Sequence, residues 1–354
     1  MRKLASIKRI EEIKAIENAD LICAYRVDGW WVVDQKGKYN VGDLVVYCEI
    51  DSWIPNSIAP FLSKGQEPRE FEGVKGERLR SIKLKGQISQ GLLLPIAILK
   101  SFIADYQQYH DLSEDNDVTD ILGILKYERP MSAQLAGLAK GNFPSFIPKT
   151  DEERIQNLNK NLSIWNHQQL EVEISEKLDG SSMTVFFRNN SIDDDGNTVS
   201  EFGVCSRNLQ LKETEGNSFW RAARKYNIEE KLTELNLNIA IQGELCGPGI
   251  QGNKYKLSDV EMFVFTIYNI DTGEYLTSYE RTDLCKELGL KHVPVLGTLT
   301  LGDETIDSLL DKAEGKSALN SKTEREGLVF KGINDTSIHW KAISNKFLLK
   351  NGDD

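Results

Sequence analysis

Cysteine pairs and clustered histidines are both absent from this sequence. The five cysteines are odd in number and far apart, and none belongs to a C-x-x-C pair. This spacing argues against a zinc ribbon and against a disulfide framework. We expect free, buried thiols in a reducing compartment, either cytoplasm or nucleus. The four histidines are scattered too, so we expect any metal to have oxygen ligands. The cysteines are Cys23, Cys48, Cys205, Cys246 and Cys285.

A long apolar run is missing as well. The longest one, residues 91–99, contains Pro95 and falls far short of the ~20 residues of a membrane span. Basic residues interrupt the N-terminus, and no signal-peptide core follows them. These absences predict a soluble intracellular protein that does not bind membranes. Its 354 residues suffice for about two domains, each with its own core.

Positive charge is in deficit, since the net charge is −11. This value argues against nucleic-acid binding by bulk charge alone. The charge is unevenly distributed: residues 1–100 have 16 basic and 13 acidic residues, and the remainder has 27 basic and 41 acidic residues. A mildly basic first part therefore precedes an acidic second part.

Short apolar runs alternate with turn signals in the first hundred residues, which predicts short strands. Only residues 10–17 have a helical pattern there. Several short strands in so small a segment indicate a barrel, with an OB-fold as the best candidate. We assign residues 1–115 to this barrel, 116–147 to a connecting segment and 148–354 to a second domain.

The second domain is predicted to be α+β with an antiparallel sheet, because its strand candidates lack regular helical crossovers. Residues 218–235 are a helix candidate. Thr150 is followed by three acidic residues, which is typical of a helix N-terminus.

The most informative motif is Glu176-Lys177-Leu178-Asp179-Gly180. Lys177 and Asp179 are two residues apart, so on a strand or at its end they share one face, and Gly180 permits a turn after them. Alone, this pattern is weak. It is followed in order by Ser206-Arg207-Asn208, Gln242-Gly243-Glu244-Leu245, Phe263-Val264-Phe265, Arg325-Glu326-Gly327-Leu328-Val329-Phe330-Lys331 and Trp340-Lys341.

This ordered set resembles the motifs of the covalent lysine nucleotidyltransferases, the superfamily of polynucleotide ligases and capping enzymes. DNA ligases and capping enzymes carry an OB domain after the last motif, but only 13 residues follow Lys341 here. The barrel-like module precedes Lys177 instead. With residues 148–157, that order resembles the ATP-dependent RNA ligases that have an N-terminal OB domain, the Deinococcus-type or fifth RNA ligase family.

The resemblance implies an ATP-dependent RNA ligase that seals 3′-hydroxyl/5′-phosphate breaks through a covalent AMP on Lys177. Its partners would be ATP and the ends of RNA or of nicked RNA/DNA duplexes, with an RNA 3′-hydroxyl strand, and it would act as a monomer. The resemblance places Phe265 on the adenine face and Lys341 on the α-phosphate. The implied nucleotide contacts are Glu176, Arg207, Glu244, Phe265 and Lys341.

The chemistry of a lysine nucleophile also predicts a metal. A free lysine has a pKa near ~10.4 and is almost fully protonated at neutral pH. Nearby carboxylates would raise that pKa further, so a cation must stand between them and the amine. We therefore propose Asp179, Glu244 and Glu326 as the metal shell, with Mg²⁺ or Mn²⁺ as the ion.

Several positions keep a second interpretation. Phe265 could be an ordinary core residue, Arg207 a surface ion pair, and Lys331 a solvated strand residue. The glycine-containing loop 243–252 is either a substrate loop or a turn. Some relatives have an acid where this chain has Thr266, and a second lysine where it has His339.

Basic residues in the barrel predict an RNA-binding surface, and a solvated edge strand is the alternative. They are Arg78, Arg80, Lys83 and Lys85.

Two rival functions remain at this stage. One is a GTP-dependent capping guanylyltransferase. The other is a non-catalytic RNA-binding OB protein with a decayed nucleotidyltransferase domain.

Overall fold

A computed structural model of the chain describes residues 3–128, 137–192, 196 and 198–351. The chain divides into two compact units. Among described residues, the first unit has 3–128, 156–159 and 348–351, and the second has 137–155 and 160–347. No helix in these described ranges has the length and apolar character needed to cross a membrane.

The first unit is built from short antiparallel strands. They form the sheets β1-β5-β11, β2-β3-β4, β12-β6-β8-β7 and β9-β10. The strands are β1 (Ala5–Arg9), β2 (Glu12–Ala15), β3 (Ile22–Val27), β4 (Trp30–Gln35), β5 (Leu44–Cys48), β6 (Ser52–Pro55), β7 (Arg69–Phe71), β8 (Val74–Arg78), β9 (Ile82–Leu84), β10 (Gln87–Ser89), β11 (Leu92–Pro95) and β12 (Leu125–Lys126). One helix, α1 (Tyr106–His110), follows β11.

Strand β5 contributes to both apolar clusters of this unit, because successive side chains point to opposite faces of a strand. Val46 packs with Ile7 and Ile54, whereas Tyr47 packs with Trp30 and Tyr25. The barrel therefore buries its apolar residues on two sides of one central strand.

The helix predicted over residues 10–17 is wrong, because the middle of this segment is a strand. Residues 12–15 are β2, which pairs with β3 and sets Ile13 opposite Tyr25. Ile10 and Ile16 are buried at the two ends of β2. The spacing of these three isoleucines imitates a helical period, but the backbone groups of this segment bond to β3 instead.

The predicted connecting segment 116–147 divides between the two units over its described residues. Val118, Leu122 and Ile124 are buried in the core of the first unit. Ile147 is buried against Phe186 in the second unit. Residues 129–136 of this segment lie outside the described part.

Residues 156–159 and 348–351 belong to the first unit, although both were predicted within the second domain. Trp30 Nε1 donates to Asn157 Oδ1 at 2.5 Å, and Asn157 Nδ2 donates to Glu49 Oε1 at 2.6 Å. Leu348 packs against the cluster that contains Trp30. These contacts explain their assignment.

The second unit has a large and a small sheet. The order of the large sheet is β13-β18-β17-β16-β19-β20-β21 with β22 beside β20, and that of the small sheet is β14-β25-β24-β15-β23. The strands are β13 (Ala139–Asn142), β14 (Glu153–Arg154), β15 (Glu171–Lys177), β16 (Ser181–Ile192), β17 (Thr198–Cys205), β18 (Leu209–Leu211), β19 (Ile239–Cys246), β20 (Glu261–Asn269), β21 (Glu274–Tyr275), β22 (Lys291–His292), β23 (Val295–Thr300), β24 (Gly327–Gly332) and β25 (His339–Ile343).

The pairing in both sheets is antiparallel except for β14–β25 and β20–β22, which confirms the predicted α+β class. Helices α3 and α4 pack over one face of the large sheet through Phe219, Trp220 and Leu232. The helices of this part of the chain are α2 (Asn159–His167), α3 (Ser218–Lys225), α4 (Ile228–Leu235), α5 (Ser278–Glu287), α6 (Ile306–Ala313) and α7 (Asn345–Asn351).

Two helix predictions need correction here. The helix predicted over 218–235 is two helices, because Asn227 takes a left-handed conformation (φ 50°) between α3 and α4. The segment after Thr150 is not a helix start: Glu153 and Arg154 form β14 and pair in parallel with β25. Sheet pairing here outweighs the capping pattern.

All five cysteines are free and buried, as predicted.

An aromatic stack involves two adjacent strands of the small sheet, β24 and β25. Trp340 of β25 lies between Trp165, at 4.6 Å between ring centroids, and Phe330, at 5.3 Å. Trp340 is fully buried. This stack holds β24 and β25 in place, and with them the neighbouring Lys341.

We predict that Trp340→Ala destabilises the fold, because it removes the central ring of the stack. The expected loss is about 3–5 kcal/mol of unfolding free energy. Urea titration followed by circular dichroism measures it. Ile164→Ala on α2 is the control, since Ile164 is 55% exposed and should cost less than about 1 kcal/mol. Equal losses in the two variants would contradict this role of the stack.

Candidate active site

Strand pairing brings Lys177 and Glu326 together. Lys177 is the last residue of β15 and pairs with Gly327, the first residue of β24. Its ammonium donates to Glu326 Oε1 at 2.7 Å. Position 327 has no room for a side chain, because a Cβ there would lie 2.2 Å from the carbonyl oxygen of Ala342. Glycine therefore allows β25 to approach closely at this point.

Two further acids reach the same amine. Asp179 follows β15, and Glu244 lies on β19, where its Oε1 accepts the N–H of Gly180 at 3.0 Å. Burial and the negative charges of Glu326 and Asp179 together raise the pKa of Glu244 to about 8, against the opposing effect of Lys177. Burial and Asp179 likewise raise the pKa of Glu326. The three carboxylates thus repel one another around one ammonium.

Lys177 is held in its charged form. Burial alone would lower its pKa, but the carboxylates of Glu326, Glu244 and Asp179 together outweigh burial and raise the pKa above its ordinary value. In this arrangement the amine is an ammonium and has no free electron pair with which to attack.

A second lysine stands in the acid cluster. Lys254 forms an ion pair with the carboxylate of Asp179. The adjacent Tyr255 accepts the backbone N–H of Asp179 on its hydroxyl oxygen at 2.7 Å. Lys254 was given no role from the sequence, because it lies in a loop 75 residues downstream of Asp179 and nothing local shows that the two meet.

The acids suit a hard divalent cation. Within the described ranges, no group of three or more histidine, cysteine, aspartate or glutamate side chains is arranged to hold a metal ion. Two of the three predicted acids contact lysine ammonium groups instead. Their donors are nevertheless oxygens, and their mutual repulsion calls for a compensating positive charge. This chemistry fits Mg²⁺ or Mn²⁺.

Asp151 connects two of the predicted nucleotide-binding residues. Its carboxylate accepts a hydrogen bond from Lys341 Nζ at 3.0 Å and lies 3.7 Å from Arg207 Nη2. Lys341 is also close enough to lower the pKa of Glu326. The sequence placed Asp151 in a helix turn and so missed this role. Its position before β14, the parallel neighbour of β25, explains the contact.

Phe265 occupies a bulge in β20. The register with β19 shifts there: Gln242 pairs with Thr266, whereas Gly243 pairs with Val264. The extra residue leaves the Phe265 ring partly buried beside the cluster that contains Leu178. A β-bulge redirects side chains in this way. The Phe265 side chain is therefore intermediate between a fully buried core residue and an exposed one.

Lys331 anchors this bulge from the small sheet. Its ammonium donates to the Phe265 carbonyl at 2.6 Å and lies 5.7 Å from the Phe265 ring. Burial, together with the positive charge of Arg281, lowers the pKa of Lys331 to about 8. Lys331 is thus a partly buried contact of Phe265 and not a fully solvated strand residue, the alternative that the sequence left open.

A buried ion network lies next to Lys331. Arg281 is 2% exposed, pairs with Glu173, and donates to His292 Nε2 at 2.8 Å. A cavity of about 160 Å³ opens beside it. Its polar lining includes Asp151, Thr266, Lys331 and His339.

The Glu176 carboxylate is not directed at the Lys177 amine. Glu176 is 1% exposed, and its carboxylate accepts the N–H of Ala318 at 2.7 Å. Because neighbouring strand residues alternate in direction, this carboxylate faces away from the Lys177 side chain.

The basic residues predicted to bind RNA all belong to the first unit.

Comparison with known proteins shows the family to which the chain belongs. The RNA ligase family model matches residues 170–350, and an OB-fold domain model matches residues 4–96. The chain belongs to the RNA ligase family. The predicted OB-fold barrel preceding a nucleotidyltransferase domain is thereby confirmed.

Solved structures of a Naegleria gruberi RNA ligase are similar over the whole chain. A point variant with ATP and Mn is 43% identical, with a TM-score of 0.87, over 99% of this chain and 100% of that one. A structure with PPi has the same identity and TM-score over 100% of both chains. A variant with AMP and Mn has a TM-score of 0.88. Among curated proteins there is no match.

We predict that Glu244→Gln stabilises the metal-free RNA ligase, and that the gain grows with pH. The raised pKa means that the folded chain retains a proton which the unfolded chain has lost, so wild-type stability falls as pH rises from about 4.5 to about 8. Glutamine removes this penalty. The expected gain at pH 8 is roughly 1–3 kcal/mol, with almost none at pH 4.5.

Urea titration in EDTA at both pH values measures the effect. Glu274→Gln, at an exposed position in the same sheet, is the control and should leave stability unchanged. A gain that does not depend on pH would contradict the electrostatic origin.

Proposed function

We propose that Lys177 carries the covalent adenylate of this ATP-dependent RNA ligase, which joins a 3′-hydroxyl to a 5′-phosphate. The convergence of Asp179, Glu244 and Glu326 on its amine carries the proposal. The similarity to an RNA ligase with ATP and Mn supports the same nucleotide and a divalent cation for this chain.

In the first step the Lys177 amine attacks the α-phosphorus of ATP. A P–N bond forms, the bond to pyrophosphate breaks, and the ammonium proton is lost before attack. A divalent cation beside the three acids would repel the ammonium and favour the neutral amine. Lys341 stabilises the negative charge that develops on the α-phosphate.

The second and third steps complete the joining. An oxygen of the RNA 5′-phosphate attacks the lysyl adenylate, the P–N bond breaks, and Lys177 takes up a proton again. The 3′-hydroxyl then attacks the activated 5′-phosphate, loses its proton and releases AMP. Each step requires a charged phosphate in a fixed position. Pre-oriented basic side chains contribute to catalysis by holding the phosphate there.

The remaining contacts follow from the positions of the side chains. Phe265 offers its partly exposed ring to the adenine base, and Lys331 fixes the strand that bears it. Arg207 and Lys341 share Asp151, so this carboxylate sets the spacing of two positive groups. The Glu176 carboxylate accepts the N–H of Ala318. Glu176 is therefore proposed to act by holding the backbone next to Lys177 in place.

The substrate is proposed to be a nicked duplex with an RNA 3′-hydroxyl strand, bound by a monomer. In the barrel, Lys83 and Lys85 are exposed on the β9–β10 hairpin. Lys85 has a positive φ of 49° at the hairpin tip. Arg78 is paired with Asp51 at 2.8 Å and stacked on Tyr127, and Arg80 is half-buried. The two lysines are therefore the better phosphate contacts.

We predict that Lys177→Ala abolishes transfer of label from α-labelled ATP to the protein. The Lys177 amine is hydrogen-bonded to Glu326 and is also acted on by Glu244 and Asp179, so its removal takes away the proposed nucleophile. Gel electrophoresis of the denatured protein measures the label. Lys256→Ala, at an exposed loop position of the same unit, is the control and should retain full labelling.

Label that survives Lys177→Ala would refute the nucleophile. EDTA should lower wild-type labelling at pH 7 by about a thousandfold, as expected for a pKa that must fall by ~3 units. Labelling by GTP in preference to ATP would instead favour the capping-type alternative.

We predict that the double substitution Lys83→Ala, Lys85→Ala weakens nick joining but leaves labelling of Lys177 unchanged. Both lysines are distant in sequence from the motifs and would contact only phosphates. The slope of log affinity against log salt concentration should fall by about 2. A filter-binding salt series on a nicked duplex measures it. Lys36→Ala with Lys64→Ala is the control, and an equal loss there would contradict a specific hairpin contact.

A further inference from the structure

The loop that carries Lys254 is held firmly in place. It follows β19 and includes residues 247–256. The Asn253 side chain donates to the Leu257 carbonyl at 2.9 Å and accepts the Leu257 N–H at 3.0 Å. The Lys254 carbonyl accepts hydrogen bonds from Asn320 at 2.9 Å and from Thr323 at 3.0 Å. The backbone of Lys254 is therefore fixed on both sides.

The Lys254 side chain is directed into the acid cluster. Its ammonium contacts the carboxylate of Asp179 and lies 4.8 Å from the centre of the Phe347 ring. The Lys254 and Asp179 side chains are only 27% and 18% exposed. Tyr255 binds the backbone N–H of the same aspartate. Two adjacent loop residues thus hold both the backbone and the carboxylate of Asp179.

The charges of the cluster explain why a lysine is needed there. The negative charges of Asp179 and Glu326 raise the pKa of Glu244, that of Asp179 also raises the pKa of Glu326, and Lys177 supplies one positive charge. Lys254 supplies a second positive charge, at Asp179. A divalent cation carries the same two positive charges and prefers the same carboxylate oxygens.

We infer that Lys254 is the resident cation of Asp179 in the metal-free enzyme, and that a divalent cation must displace its ammonium to bind among Asp179, Glu244 and Glu326. The inference rests on the proposed function, because that function requires the cation. Since the Lys254 backbone is fixed, displacement involves only its side chain. Lys254 therefore weakens metal binding while it stabilises the metal-free cluster.

Binding of Mn²⁺ to the metal-stripped full chain, without ATP, tests this directly. Electron paramagnetic resonance of free Mn²⁺ gives the dissociation constant. Lys254→Met should bind Mn²⁺ ~10-fold more tightly than wild type, because it removes a competing charge from a partly buried pair. Lys254→Arg should keep the wild-type affinity. Lys256→Met is the matched control, since it removes the same charge from an exposed position two residues away.

Thermal unfolding supplies a second measurement that also reports whether each variant folds. In EDTA, Lys254→Met should melt at a lower temperature than Lys256→Met, and added Mn²⁺ should raise its melting temperature by more than that of wild type. Equal or weaker Mn²⁺ binding in Lys254→Met relative to Lys256→Met would overturn the inference. So would the lack of saturable Mn²⁺ binding in every variant.

Labelling of Lys177 by α-labelled ATP separates this result from the proposed function. A wild-type chain that forms the lysyl adenylate, together with a Lys254→Met variant that gains no Mn²⁺ affinity, refutes only the displacement. A wild-type chain that forms no adenylate refutes the proposed function itself.

Discussion

The crowding of three carboxylates around the amine of Lys177 is the constraint on which the site depends. Each acid comes from a different part of the chain, and each is partly withdrawn from water. Like charges in such a place are unfavourable unless cations lie between them. Lysine ammonium groups meet that need in this structure, and a divalent cation meets it in the proposed reaction. The same acids therefore stabilise the resting amine as an ammonium and later bind the ion that favours its neutral form.

Much of this site could be predicted from the sequence because its motifs are short and lie on strands. A strand fixes the direction of every second side chain, so Lys177 and Asp179 could be placed on one face from their spacing alone. Glu244 and Glu326 could be assigned only through the resemblance to a known family, since their proximity depends on pairing across two sheets. The order of the domains was equally accessible, because the strand-rich first segment and the α+β second one differ in pattern.

The remaining features depend on contacts that leave no local pattern. Lys254 and Asp151 sit in loops, and nothing in the residues around them reveals which distant charge they meet. The helix predicted over residues 10–17 was wrong because isoleucines spaced three apart are typical of a helix. The same spacing also arises when two isoleucines flank a short exposed strand that contains the third. Likewise the acids after Thr150 resemble a helix start, although β25 takes that segment as a partner. In each case a long-range pairing outweighed a local preference, which is the usual limit of single-sequence reasoning.

The bulge at Phe265 has an evolutionary consequence. Because one extra residue in β20 leaves this ring only partly buried while Val264 and Ile267 stay in the core, the strand depends on its length as well as on its composition. Loss or gain of a single residue between Glu261 and Phe265 would shift the register and reverse the facing of every side chain before the bulge. Descendants of this gene can therefore exchange side chains along β20 gradually, whereas in-frame insertions or deletions there should be purged by selection.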